Sequence, residues 1–247
     1  MSDFSFIVPA FNEEKLLPGT LDRLGSIIRE LAPEHEGRIV VVDNNSSDAT
    51  ADIAAAKGAE VVFEPENRIS KARNAGAARS EAEFLLFVDA DTLPSVDLVS
   101  NSLRLLAGGE VCGGGAAVRF DAPLPFAGKL VLWAWRVYSR VFNTAAGSYI
   151  FCIREAWLET GGFDEALYAS EEISFSRKVA AWGRKRGMRF ARSAGEVVTS
   201  ARKMEWHSPV AVFFAISASA LLPPLLKSER WCRRWWYSRP ADQSAPR

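Results

Sequence analysis

The chain is poor in cysteine and poorer still in histidine: 3 Cys, at positions 112, 152 and 232, and 2 His in 247 residues. The cysteines lie far apart and no Cys-x-x-Cys occurs. The sequence therefore offers neither a disulfide framework nor a zinc site, and its thiol usage fits a reducing compartment. Net charge is also missing, since 30 Lys and Arg offset 30 Asp and Glu, and no nucleic-acid partner is expected. No internal repeat is found. The first residues run directly into a strand-like FSFIVPA with no basic-then-apolar leader, so no secretion signal is expected. The balanced charge is unevenly spread. Residues 184–247 hold 13 Lys and Arg against 4 Asp and Glu. An acidic body with a basic end leaves two readings open: an anionic partner near the C-terminus, such as a membrane surface or a phosphate, or a solvated basic helix.

What the sequence does have is a series of short apolar runs separated by stretches of helical length. Residues 4–8 (FSFIV), 39–42 (IVVV), 61–63 and 84–88 (FLLFV) are apolar on consecutive positions, as strands buried on both faces require. Helices are predicted between them over 13–31, 48–57 and 70–80. A β-α-β-α-β-α-β order over some ninety residues predicts a Rossmann-like, mostly parallel sheet flanked by helices. Ligands in such sheets sit at the carboxyl ends of the strands. The polar clusters fall there: Asn12-Glu13-Glu14, Asp43-Asn44-Asn45 and Asp89-Ala90-Asp91. Further on, a short strand is predicted within the glycine-rich 108–115 and a Trp-rich helix in KLVLWAWRVYSRVF. Strands are predicted at 148–153 and 196–199, with a helix over 171–183 between them.

Each cluster has a chemistry and a plainer alternative. In extended backbone, residues i and i+2 point the same way, so Asp89 and Asp91 could present two hard oxygen ligands to Mg²⁺ or Mn²⁺; acids after strands are also common for no such reason. Pro9 is expected to stop the first strand, leaving Asn12 and Glu13 over the edge. Ser46 or Ser47 can cap the next helix, which leaves Asp43 and the two Asn to face a base and a ribose. Arg73, in ISKARNAGAARS, could reach the acidic edge or a diphosphate. Glu171-Glu172 suits the first turn of a helix.

Taken jointly, VPAFNEE, VVDNNSSDAT, KARNAG, FVDADT and the later GGFDEALYASEEISFSRKV resemble a family 2 glycosyltransferase of the GT-A fold, over about residues 4–203. The resemblance implies a nucleotide-sugar donor (a UDP-sugar foremost), a divalent metal (Mn²⁺ or Mg²⁺) and inverting transfer to a lipid-linked or saccharide acceptor. It places Pro9, Ala10, Asn12 and Glu13 near the nucleobase and Asp43 and Asn44 on base and ribose. It sets Arg73 beside the nucleotide, and Asp89, Ala90 and Asp91 at the metal and ribose-diphosphate site, with Asp91 the direct ligand and Asp89 orienting it or touching the ribose. Glu172 becomes the candidate general base, with Glu171 beside it raising the pair's apparent pKa. His207 becomes a candidate third metal ligand or else a surface or capping histidine, and Arg202 and Lys203, close by, are candidate diphosphate contacts or else a solvated pair. The chain departs from the pattern at three places. Asn44 stands where a second Asp is common, Arg68 where Gly is usual, and Glu171-Glu172 replaces Glu-Asp, which lengthens the base by one methylene.

Two halves are expected within residues 1–203, a nucleotide-sugar-binding half (1–92) and an acceptor-side half (93–203), followed by a hydrophobic and basic helical tail (204–247). The tail holds an uncharged stretch, Pro209–Leu226, broken by Pro223-Pro224, then Arg230, Trp231, Arg233, Arg234, Trp235, Trp236, Tyr237 and Arg239. Arg with interfacial aromatics predicts peripheral contact with a membrane rather than a crossing, at the cytoplasmic face of the cell membrane; the alternative is a helix that closes the hydrophobic core with its aromatics packed inward. Trp133 and Trp135 either shape an acceptor cleft or pack in the core. Two other functions stay open: a sugar-nucleotide nucleotidyltransferase, and a catalytically silent, membrane-docked scaffold of the same fold.

Overall fold

A computed structural model describes residues 3–32, 34–123, 126–142, 144–202 and 223–232. The elements in chain order are β1 (Phe4–Ala10), α1 (Leu17–Leu31), β2 (Gly37–Asp43), α2 (Thr50–Ala56), β3 (Glu60–Phe63), α3 (Ile69–Arg79), β4 (Phe84–Val88) and β5 (Thr92–Leu93). They continue with α4 (Val96–Ala107), β6 (Val111–Phe120), α5 (Phe126–Val141), β7 (Tyr149–Ile153), α6 (Arg154–Thr160), α7 (Glu171–Arg184) and β8 (Arg189–Thr199). A 3-10 turn (Pro223–Lys227) and the short α8 (Glu229–Cys232) follow.

One eight-stranded sheet runs in the order β3-β2-β1-β4-β7-β6-β8-β5. From β3 to β4 every pairing is parallel, as the apolar runs predict. Beyond β4 the sheet is mixed: β7 lies antiparallel to both β4 and β6, β6 and β8 are parallel, and β5 is antiparallel to β8. The edge strand β3 leaves Val61 and Phe63 exposed, contrary to the expectation from its apolar run. Strands β1 and β4, and β2 over its second half, are buried on both faces because alternate residues feed two cores. Phe4, Phe6, Val8, Leu86 and Val88 join Leu17, Leu24 and Ile27 of α1 on one side. Ile7, Val40, Leu85 and Phe87 join Phe163, Phe175 and Val179 on the other.

Several boundaries differ from the sequence expectation, each for a local reason. β1 runs past Pro9 to Ala10, because a missing amide costs only one donor and the Ala10 carbonyl still accepts from the Asn44 amide at 2.8 Å. Helix α1 begins at Leu17, with Pro18 in its first turn where an amide donor is not needed. No serine caps α2; Ser46 accepts instead from the Asn12 amide at 3.0 Å, and Asp48 accepts from Thr50. The strand through the glycine-rich stretch is ten residues long. Its glycines permit close strand packing: a Cβ on Gly114 would lie 2.0 Å from the Ala191 carbonyl oxygen. Strand β8 is longer than expected, and helix α4 was not foreseen.

Of the expected tail, residues 223–232 return to the body. Leu226 accepts from the Tyr168 amide at 2.8 Å and Cys232 is buried. The remaining tail residues lie outside the described ones. Among the described residues, no helix is long and apolar enough to cross a membrane.

Candidate active site

The carboxyl ends of β1, β2 and β4 carry the clusters that the sequence singled out, and side-chain hydrogen bonds tie their loops together. Asn12, at φ 52°, donates its amide to Ser46 and accepts from the Ser47 amide at 2.8 Å. Glu13 is buried, and its amide donates to Thr50 Oγ1 at 2.7 Å. Asp43, also buried, accepts from the Ser46 amide at 3.0 Å. The Asn44 side chain holds the loop before α3: it donates to the carbonyls of Glu64 and Glu66 and accepts from the Arg68 amide at 2.9 Å. Pro9 lies inside β1, in register with Val42, and Ala10 ends that strand. The Ala90 carbonyl accepts from Thr20 Oγ1 at 2.8 Å, which pins the turn after β4 onto α1.

That turn changes the geometry expected of Asp89 and Asp91. The Thr92 amide bonds back to the Asp89 carbonyl at 3.1 Å, so the backbone folds at Ala90-Asp91 and the alternation of an extended strand does not apply. The two carboxylates meet different arginines. Asp89 Oδ1 accepts from Arg73 at 2.9 Å. Asp91 Oδ2 accepts from Arg202 at 3.2 Å, and its Oδ1 faces the hydroxyls of Thr92 and Thr199 at 3.4 Å each. Arg202 also pairs with Glu13, so one guanidinium joins the loop after β1 to the turn after β4.

Arg73 is the largest fully buried side chain. It donates to Glu171 Oε1 at 2.5 Å, to Asp89 at 2.9 Å and to the Gly147 carbonyl at 2.9 Å, and it lies over the Phe163 ring at 5.3 Å. Burial alone would lower its pKa, but Asp89, Glu171 and Glu172 outweigh burial and shift it upward. Its neighbour Asn74 holds the loop that follows α6, donating to the Phe163 carbonyl and to Glu165 and accepting from the Phe163 amide, each at 2.9 Å. Arg68 reaches the same loop, donating to the Glu165 carbonyl and to the Tyr168 hydroxyl at 2.5 Å each. Helix α3 can lie this close to the sheet because residue 76 is glycine; a Cβ there would stand 2.5 Å from Ile7 Cγ2.

Glu171 and Glu172 open α7, directly after Ser170 at φ 61°. Among the described residues only Asn12, Asn45 and Ser170 are non-glycine residues with positive φ, and all three sit in loops that bear site residues, where backbone strain tends to gather. Glu171 is buried on Arg73. Glu172 is half-buried, and burial first and the Glu171 charge second push its carboxyl up to about 8, with Arg73 pulling the other way.

His207 and Lys203 lie outside the described residues. Among those described, no three His, Cys, Asp or Glu side chains come together to hold a metal ion. The acids at this edge suit a hard cation only when further oxygen ligands arrive with a substrate, the manner in which Mg²⁺ is commonly bound. Asn74, Tyr168 and Thr199 join the site without having been expected from the sequence. Asn74 and Tyr168 could have been found, since they stand inside the KARNAG and GGFDEALYASEEISFSRKV motifs; Thr199 carries no local signal.

The chain as a whole is similar to known proteins. The family profile described as "Glycosyl transferase family 2" matches residues 5–156. An uncharacterized glycosyltransferase of Mycobacterium tuberculosis is 31% identical over 183 residues, covering 71% of this chain and 79% of that protein. Among solved structures, a mannosyltransferase from Pyrobaculum calidifontis in complex with GDP-Man and Mn²⁺ superposes with a TM-score of 0.66 at 20% identity, covering 91% of this chain and 67% of that one. Staphylococcus aureus TarS 1–349 gives 0.63 at 20% identity, covering 88% of this chain, which spans 65% of the TarS chain. At such identity these two show a shared GT-A fold.

Proposed function

The chain belongs to glycosyl transferase family 2, and from that premise we propose that it moves a sugar, with inversion at the anomeric carbon, from a UDP-sugar to a hydroxyl of a lipid-linked or saccharide acceptor. The observation that carries the reading is Arg73, which binds Asp89 from the donor side and Glu171 from the acceptor side. This fixes Glu172, the next residue, at the edge of the same site.

Asp43 and Asn12 line the strand ends where base and ribose would lie. Arg202, held between Glu13 and Asp91, brings a positive charge to the position of the diphosphate, with Lys203 next to it in the chain. Asp91 is the residue that would hold a divalent cation, Mn²⁺ or Mg²⁺, together with donor phosphate oxygens; Asp89, fixed by Arg73, orients that turn. When bound, such a cation neutralises the charge that builds on the departing diphosphate. Glu172 takes the proton of the acceptor hydroxyl as its oxygen bonds to the anomeric carbon and the bond from that carbon to the diphosphate oxygen breaks. A single displacement from the opposite face inverts the centre. The Pyrobaculum neighbour's complex with GDP-Man and Mn²⁺ supports the metal, and the TarS complex with UDP-GlcNAc supports a UDP-sugar donor.

Calorimetric titration with UDP-, GDP- and dTDP-sugars, with and without Mn²⁺ or Mg²⁺, tests this. Binding of one UDP-sugar that needs the metal and is weakened by Asp91→Asn is expected. If no nucleotide sugar binds in a metal-dependent way at millimolar concentration, the reading fails.

A further inference from the structure

Helix α5 turns an apolar side outward. Leu130, Trp133, Val137 and Val141 are exposed, Trp133 at 62% and Val141 at 70%. At 3.6 residues per turn these four fall within a sector of roughly 80°, opposite the buried Gly128 and Ser139. Such a stripe on a surface helix normally faces the core, and here it faces away.

The two flanks of the stripe differ. On one side lie Lys129, Arg136 and Arg140. Strand β8 adds Arg192, which donates to Ser139 at 2.7 Å; burial, then Arg140 and Arg136, lower its pKa, as in a cluster of like charges. The acid nearby, Glu196, is already paired with Arg136 at 3.1 Å and Arg119 at 4.0 Å. On the other side Trp135, Tyr138 and Phe142 stack in series, with centroids 5.7 and 4.7 Å apart, and Arg177 donates to the Tyr138 hydroxyl at 2.9 Å. An apolar face bordered by arginine on one flank and by amphipathic aromatics on the other is the pattern of a helix lying in a membrane interface. The helix has 16 residues, too few to span a bilayer.

We propose that α5 seats the Leu130–Trp133–Val137–Val141 stripe in the surface of an anionic lipid bilayer, with Lys129, Arg140 and Arg192 on the headgroup phosphates. The chemistry selects lipid over an apolar protein partner because the apolar face lies beside Lys129, Arg140 and Arg192, for which no acid partner stands among the described residues. The position also matters: six residues after α5 ends, Gly147 bonds to Arg73. Docking by α5 therefore sets the acceptor side of the candidate site close to the lipid surface, where a lipid-linked hydroxyl would be presented.

Flotation of the full chain with phosphatidylcholine vesicles, with and without phosphatidylglycerol, tests the proposal. The parent should float with the anionic vesicles, less with pure phosphatidylcholine, and less at high salt. A Trp133→Glu, Val137→Glu double variant should bind about tenfold more weakly with its thermal midpoint unchanged, and Lys129→Glu, Arg140→Glu should lose the preference for the anionic lipid. Four results overturn it. The parent floats with neither vesicle; the stripe variant floats as the parent does; the stripe variant melts several degrees lower, which means that the chain's own residues cover the face; or the parent elutes as a dimer that the stripe variant splits, which means that a second copy covers it.

Discussion

A guanidinium taken out of water is costly unless carboxylates meet it on good geometry. Arg73 satisfies that condition with two of them. Removing it by Arg73→Ala leaves Asp89 and Glu171 without their cation, and unfolding in urea should show a loss of about 3–5 kcal/mol. Arg73→Lys should recover only part of it, since an ammonium cannot fork between two partners. The same cluster sets a pH dependence. A base must be ionised to accept a proton, and the Glu172 carboxyl is pushed up to about 8. Turnover should therefore rise with pH along a limb near 8, and Glu171→Gln should move that limb to lower pH. Stability should run the other way. A carboxyl whose folded pKa is raised holds its proton more tightly in the folded state, so its contribution is complete at acid pH and is lost as pH rises through about 8. Thermal midpoints across this range should fall in the parent and fall less in Glu172→Gln.

Among the elements, α3 does the most to assemble the site. Arg73 and Asn74 are adjacent on it, yet one faces the turn after β4 and the start of α7 while the other holds the loop after α6. Asn74→Ala should leave the global transition within about 1–3 kcal/mol of the parent, while amide hydrogen exchange of residues 161–168 speeds up strongly. Equal protection of that loop in parent and variant would remove Asn74 from this role. The elements also differ in how far they could be read from the sequence. Strands β1, β2 and β4 were legible because a strand buried on both faces is apolar at consecutive positions, while β3 showed the same apolar run although Val61 and Phe63 are exposed. Strand β6 was legible only as a short strand: its centre, Gly113 to Gly115, has no side chains to carry a period, and its ten-residue length is set by close contact with β7 and β8. Helix α4 did carry a signal, Ser95 capping the Leu98 amide with Asp97 in the first turn, and it was overlooked. Helix α5 was legible as a helix, but the exposure of its apolar side was not, since periodicity marks a face without saying what it meets.

At the scale of the whole molecule, the change from parallel to antiparallel between β4 and β7 lets chain from the second half close over strand ends built by the first. The polar clusters at the ends of β1, β2 and β4 could be located from sequence because they follow strands that announce themselves. The turn at Ala90-Asp91 that separates Asp89 from Asp91 could not, because it rests on a single backbone bond and on arginines distant in the chain. Of the enzymatic readings open from the sequence, the family match selects glycosyl transfer over nucleotidyl transfer.

Arg68, which the family resemblance sets where glycine is expected, lies against the Tyr168 ring at 4.1 Å and its hydroxyl at 2.5 Å. The two residues are 100 positions apart, and neither contact survives without the other partner. Their histories should therefore be linked. In an alignment deep enough to test it, lineages that gained arginine at 68 should carry an aromatic hydroxyl at 168, and those that kept glycine should vary freely there. Independent variation at the two sites would mean that the contact is incidental to this branch.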